Sequence, residues 1–284
     1  MPGEETIAGV IITKENISDF YKDAAQPSVR VVGKALAQCV SLFATPVGRM
    51  SEIFEKNIQK YLDKLEGLEE KEMISPDTRI LVPILEKLRY TEDDVVANYY
   101  AEILAMASMK QHAKKVIITF IEILNRLSAD EIRMLEHINS KDNVIKIDSA
   151  TEAEIEEYNI IPRDNIFRLR NAFPVIDINR KTDVASYKVL KKNFNILDEK
   201  IQLNDPENID LYIDNMSSLG LLEREYFKSY AFKKVYDHLE KHHAVEKLKK
   251  DLGEDEAAKI YFDRGKIEIT YLGKKLLELC ARKK

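Results

Sequence analysis

The chain has 284 residues, 45% of them hydrophobic and 33% charged, enough for one large domain or two small ones with a charged surface. Its net charge of −5 argues against a protein that coats nucleic acid with its whole surface, though local basic patches stay open. Two cysteines, Cys39 and Cys280, are too few and too distant for a disulfide framework or a thiolate cluster, and they point to a reduced, cytoplasmic compartment.

The N-terminal segment starts acidic and lacks the basic-then-apolar pattern of a secretory signal. The longest uncharged stretch near it, 35–48, is interrupted by Pro46 and falls short of the roughly 20 apolar residues a membrane span needs. Residues 17–25 read as a short helix. Residues 29–45 carry Val31, Val32, Leu36, Val40, Leu42 and Phe43 on more than one face. Such a helix belongs inside a bundle, the alternative being an amphipathic segment that contacts a membrane.

Residues 49–68 form a cleaner amphipathic helix, with Phe54, Ile58, Tyr61, Leu62, Leu65 and Leu68 at spacings of three and four, ended by Gly67 and an acidic run. Pro83 suits the first turn of a helix reaching Tyr90. Thr91, Glu92, Asp93 and Asp94 place acids at the positive end of the next helix, whose inner stripe is Val95, Val96, Tyr99, Tyr100, Ile103, Leu104 and Ala107. Residues 116–127 are apolar nearly all round and predict a central core helix. Ser128 to Glu131 is a capping box, followed by Ile132, Leu135 and Ile138 facing inward.

From Ser140 the texture changes. Residues 144–147, 174–178 and 266–270 read as strands, and Thr151 to Glu154 as a second capping box. Residues 208–219 form a helix stopped by Gly220. Residues 229–252 read as one long charged helix, and 272–282 as the closing one. The order of a helix ending in Leu219-Gly-Leu-Leu222, a strand Ile267-Glu-Ile-Thr270 and a helix after Gly273 resembles a winged helix. The expected fold is mainly α: a helical bundle in residues 1–127, then a winged-helix-like α+β region in 128–284 with a long helical insertion at about 225–265.

The residues Pro76-Asp77-x-Arg79-Ile80-x-Val82-Pro83-x-Leu85-Glu86-x-Leu88-Arg89-Tyr90, with Tyr100-Ala-Glu-Ile-Leu104 and Phe120-Ile-Glu-Ile-Leu124, resemble the Abi-alpha (abortive infection alpha) family of bacterial and prophage proteins. Leu127-Ser128-x-Asp130-Glu131, Leu219-Gly-Leu-Leu222 and Ile269-Thr270-x-x-Gly273 extend the likeness over most of the chain, with residues 141–206 outside it. The resemblance implies a role in defence against bacteriophage. It supplies no catalytic residue, and its signature positions Pro83, Arg89 and Tyr90 read as structural.

Candidate chemistry is sparse. His238, His242 and Glu246 would share one face of the long helix, with His243 beside them, but without a second ligand cluster this is a weak metal signal, and no metal is expected. The same segment holds seven lysines between residues 228 and 250, with Tyr226, Tyr230, Phe232 and Tyr236 interleaved. Lys233, Lys234, Lys241 and Lys247 are therefore candidates for nucleic-acid or partner contact, against the plain reading of solvated lysines over core aromatics. The helix at 208–219 carries Asp210 and Asp214 after Glu207 and no basic residue, which suits protein contact better than a DNA groove. No G-x-S-x-G, phosphate loop or Cys–His pairing occurs, so neither an enzyme nor a cofactor is expected. The expectation is a non-enzymatic, cytoplasmic defence protein that recognises a protein partner or phage component and is compatible with a homo-oligomer. The alternatives are a nucleic-acid-binding regulator using the basic helix, or a membrane-acting effector.

Overall fold

The computed structural model describes residues 49–147, 150–158, 160, 166–169, 171–182, 186–225 and 230–280. The helices expected at 17–25 and 29–45 lie outside these residues. No helix among the described residues is long and apolar enough to cross a membrane. The described residues divide into two compact units, one holding those from 49 to 129 together with 278–280, the other those within Asp130–Leu277.

The first unit is helical. Helix α1 (Arg49–Leu65) buries Phe54, Ile58, Tyr61 and Leu65, the face its three-and-four spacing defines. Gly67, at φ +81°, follows it. Helix α2 (Thr78–Leu88) is capped by the Asp77 carboxylate, which accepts from the Arg79 N–H at 2.9 Å. It therefore starts before the sequence suggested, and Pro83 sits inside it rather than in its first turn. The buried Asn57 amide donates to the Leu88 and Thr91 carbonyls at 2.9 and 2.8 Å, satisfying the end of α2. Arg89 is the C-cap of α2, and Tyr90 is 47% exposed beside the Lys87 ammonium, outside the core.

Helix α3 (Asp94–Ala107) starts on Asp93, whose side chain accepts from the Val95 and Val96 N–H groups. Ala97 and every residue from Tyr99 to Ala107 are buried, so α3 is the central helix of this unit. That place was expected for 116–127. There the structure forms only a short helix, α4 (Ile118–Leu124), with Ile117 and Ile118 exposed. The alanines of α3 explain the exchange, because small side chains let neighbouring helices approach on all sides. Its one buried acid, Glu102, is paired with Lys64 at 2.8 Å. The fully buried Tyr61 hydroxyl bonds Ser108 Oγ at 2.8 Å, and burial pushes its phenol pKa up.

The second unit mixes helices with two sheets. Helix α5 (Ala129–Asn139) buries Ile132, Met134, Leu135 and Ile138. Strands β1 (Val144–Lys146) and β2 (Ile166–Arg168) pair antiparallel, with α6 (Glu152–Tyr158) between them on a reciprocal Thr151–Glu154 cap. Strands β3 (Ala172–Lys181), β4 (Tyr187–Phe194), β5 (Leu222–Glu225) and β6 (Ile260–Ile269) form an antiparallel sheet in the order β4-β3-β6-β5. Strand β4 was not anticipated, and β6 begins well before the expected 266. Helix α7 (Ile209–Ser218) precedes β5, with Gly220 at φ +72° between them, and α11 (Tyr271–Cys280) follows β6.

The long helix expected over 229–252 is broken. A 3-10 turn (Lys233–Tyr236) leads into the single turn α8 (Asp237–Glu240), and a new helix, α9 (His243–Leu252), starts beyond it, followed by the short α10 (Glu254–Ala257). His242 causes the break. Its backbone is extended and its Nδ1 accepts from the Ala244 N–H at 3.2 Å, making it an N-cap rather than a helix-interior residue. The segment packs Phe232, Val235, Tyr236, Leu239 and Val245 into one core with Ile145, Ile176 and Ile178. Tyr236 Oη donates to the Gly265 carbonyl at 2.9 Å and accepts from the Tyr230 N–H, tying this segment to β6.

Candidate functional site

An open cleft of about 1030 Å³ lies on the four-stranded sheet. Its floor comes from the β3–β6 pair, where Asp177 stands directly opposite Asp263 and Asn179 opposite Tyr261. Directly opposed residues share a face of the sheet. Across β3, Asn179 pairs with Val189 and Lys181 with Tyr187, so β4 brings an aromatic wall to the same face. Strand β5 pairs with β6 only from Lys266 to Ile269, and the lining residues Tyr261 to Arg264 fall where that pairing has stopped.

The charges are held in place. Asp177 accepts from the Asn193 N–H and from Arg224, both at 2.8 Å, with its side chain 16% exposed and that of Arg224 11%. Arg224 also donates to Asn193 Oδ1. Asn193 adopts φ +49° beside the shifted β3–β4 register, a conformation asparagine tolerates, and the irregularity aims its N–H at Asp177. Arg264 clamps Glu240 through Nε and Nη2. Asn179 is 1% exposed; its amide donates to Asp263 Oδ2 at 2.9 Å, and its Oδ1 has no hydrogen-bond partner. Tyr187 is 59% exposed and meets Tyr261 edge-on at 6.2 Å. With both Asp177 oxygens engaged by fixed donors, the arrangement suits recognition of a ligand better than proton transfer.

Of the four lysines singled out in the sequence, Lys233 reaches this cleft. Lys234 pairs with Glu154 at 2.9 Å, Lys241 lies 3.6 Å from Asp237, and Lys247 is exposed on α9. The break at His242 divides them between separate elements, so they form no continuous basic stripe. Sequence reasoning missed Asp177, Asn179, Tyr187, Tyr261 and Asp263, because nothing local marks two distant segments as neighbouring strands. The alternating Tyr187-Lys-Val189 was the one available signal.

The same break removes the single-face arrangement of His238, His242 and Glu246. Instead Glu199, His242 and His243 place ligand-capable atoms within 4.8 Å of one another. His242 Nδ1 is already an acceptor in the helix cap, so the ring proton sits on Nε2 and bonds Glu199 Oε1 at 2.6 Å. A metal on Nε2 would require moving that proton to Nδ1 and giving up the cap. The trio therefore reads as a helix cap with a hydrogen bond.

His238 differs from these: its two buried ring nitrogens have no partners, and burial, helped by the Lys200 charge, lowers its pKa from 6.5 to about 4. Burial lowers His137 as well. Between pH 6.5 and 4 the unfolded His238 takes up a proton that the folded one refuses, so its contribution makes stability fall with pH across that window. After discounting for solvent reaching the ring, the loss is on the order of 1–2 kcal/mol. Urea midpoints at the two ends of the window should diverge less in His238→Leu than in the wild type; equal divergence in both would remove His238 from the account.

A family profile described as "Abortive infection alpha" matches residues 53–280. No curated protein matches the chain. A solved structure of an uncharacterized protein from the hydrocarbon-degrading marine bacterium Alcanivorax borkumensis SK2 is 17% identical and aligns over 61% of this chain and 98% of its own, with a TM-score of 0.31.

Proposed function

The chain belongs to the abortive infection alpha family, and on that premise we propose that it is a bacterial phage-defence protein that recognises a partner or signal and then impairs the infected cell. The observation that carries this reading is the span of the family match, 53–280, which covers both compact units rather than one shared fragment. We place the protein in the cytoplasm and give it no catalytic step of its own. The cleft supports recognition, since Asp177 and Glu240 are each spent on an arginine.

The second unit also supports the winged-helix reading. Helix α7 turns through Gly220 into β5, and β5 pairs with the end of β6 just before α11. In that reading the elements from Lys233 to Ala257 are an insertion between the wing strands. Asp210 engages Lys191, and Leu211 is 66% exposed, so α7 offers an apolar and acidic surface suited to a protein.

Phage challenge of bacteria expressing the chain tests the reading. The expected culture survives at a low phage-to-cell ratio and collapses at a high ratio without releasing phage. Plating and growth equal to the empty vector across a broad phage panel would overturn it.

A further inference from the structure

We propose that the sheet cleft binds single-stranded nucleic acid, with an unpaired base against Tyr187 and Tyr261 and the sugar-phosphate backbone along Lys181 and Lys192. This deepens the recognition reading by naming the ligand chemistry. It also fails separately from that reading, because a defence protein triggered by another protein would still pass the phage challenge.

Three observations converge on this occupant. Tyr187 is 59% exposed and edge-on to Tyr261, leaving ring faces for a base to stack on. Lys192 and Lys233 line the cleft beside two arginines already paired with Asp177 and Glu240, and the Lys181 ammonium lies 6.0 Å from the Tyr261 ring centre. The floor carries one open acceptor, the exposed carboxylate of Asp263. The amino and ring N–H groups on the edges of unpaired bases are donors of the right kind for it.

The charge layout sets the orientation. The Asp263 carboxylate on the floor repels phosphate and accepts from a base, while the lysine ammonium groups attract phosphate, so the base points inward and the backbone runs outside. A duplex does not fit this scheme, because its base edges are paired and its rings stacked on neighbours. The cleft, at about 1030 Å³, is at the upper end of ordinary ligand pockets and has room for a nucleotide unit.

The test is fluorescence anisotropy of the full chain with a labelled single-stranded oligonucleotide of about 12 residues, within the usual footprint of such sites. Unlabelled duplex, mononucleotides and polyglutamate serve as competitors, at roughly 50 and 200 mM salt. The expected result is binding that weakens with salt and is displaced by single strands but not by duplex, mononucleotide or polyglutamate. Tyr187→Ala should weaken it about 5- to 150-fold, the worth of one stacked base. Lys192→Glu should weaken it too, and Lys247→Glu on α9 should leave it unchanged. Both cleft residues are exposed, so the variants keep the fold, as circular dichroism verifies. No binding, equal displacement by duplex, mononucleotide or polyglutamate, or loss with Lys247→Glu but not Tyr187→Ala would overturn the proposal.

Discussion

Gly273→Ala is expected to destabilise the second unit by about 3 kcal/mol, even though alanine is the better helix former by about 1 kcal/mol. A Cβ at this position would lie 2.6 Å from the Leu221 carbonyl oxygen and 2.7 Å from Ile269 Cγ2. Real carbon contacts do not come so close, and one of the two neighbours is backbone, so the strand or the helix must move. The geometry explains why this glycine belongs to the motif Ile269-Thr270-x-x-Gly273. Thr270 Oγ1 donates to the Gly220 carbonyl and accepts from the Gly273 N–H, while the Thr270 N–H donates to the Leu221 carbonyl. The two late family motifs thus grip each other where β5, β6 and α11 meet. Gly67→Ala is the comparison, since its φ of +81° costs alanine about 1 kcal/mol but no atom lies within 4 Å. Chemical denaturation of both variants decides the point; equal midpoints would mean that α11 yields freely.

Asp130→Ala should cost about 3–5 kcal/mol, the range for removing one member of a buried charged network. Asp130 is 2% exposed, and its carboxylate collects the Asn204 and Asp205 N–H groups, Arg133 and the Tyr212 hydroxyl. Burial alone would raise its pKa, but these donors outweigh burial and hold it below the usual carboxylate range. Its stabilisation is therefore present above the ordinary aspartate range and lost as pH falls below it, under the window in which His238 acts. Alanine removes the acceptor that these four donors share and frees the segment before α7 from α5. Asp130→Asn keeps the shape and one acceptor oxygen, so it should recover part of the loss. An alanine variant as stable as the wild type would show that water replaces the carboxylate at no cost.

The two substitutions bear on how the family motifs are read. Asp130 and Gly273 belong to segments that looked like ordinary helix grammar, a capping box and a helix start. Their partners lie about 75 and 50 residues away along the chain, at Asp205 and Leu221. Pro83, Arg89 and Tyr90 behave differently. They lie at or within α2 and its end, and Tyr90 is too exposed to serve as a core residue.

Periodicity by itself determined α1, α3 and α5, because a helix that buries one face needs apolar residues every three or four positions. It also determined the stop at Gly220, since few other residues take that φ cheaply. Which helix is central was decided only by packing: α3 outranks 116–127 because its alanines admit neighbours, a property hydrophobicity does not report. The break at His242 was decided by a side chain capping a new helix and by Tyr236 reaching Gly265, neither of which leaves a periodic trace. The cleft is the extreme case. Asp177 and Asp263 are separated by more than eighty residues, and Tyr187, Lys188 and Val189 of β4 are all exposed, so burial imposes no clean alternation on that strand. Strand pairing brings these residues together, and pairing is a tertiary choice of register among distant segments that no local pattern encodes.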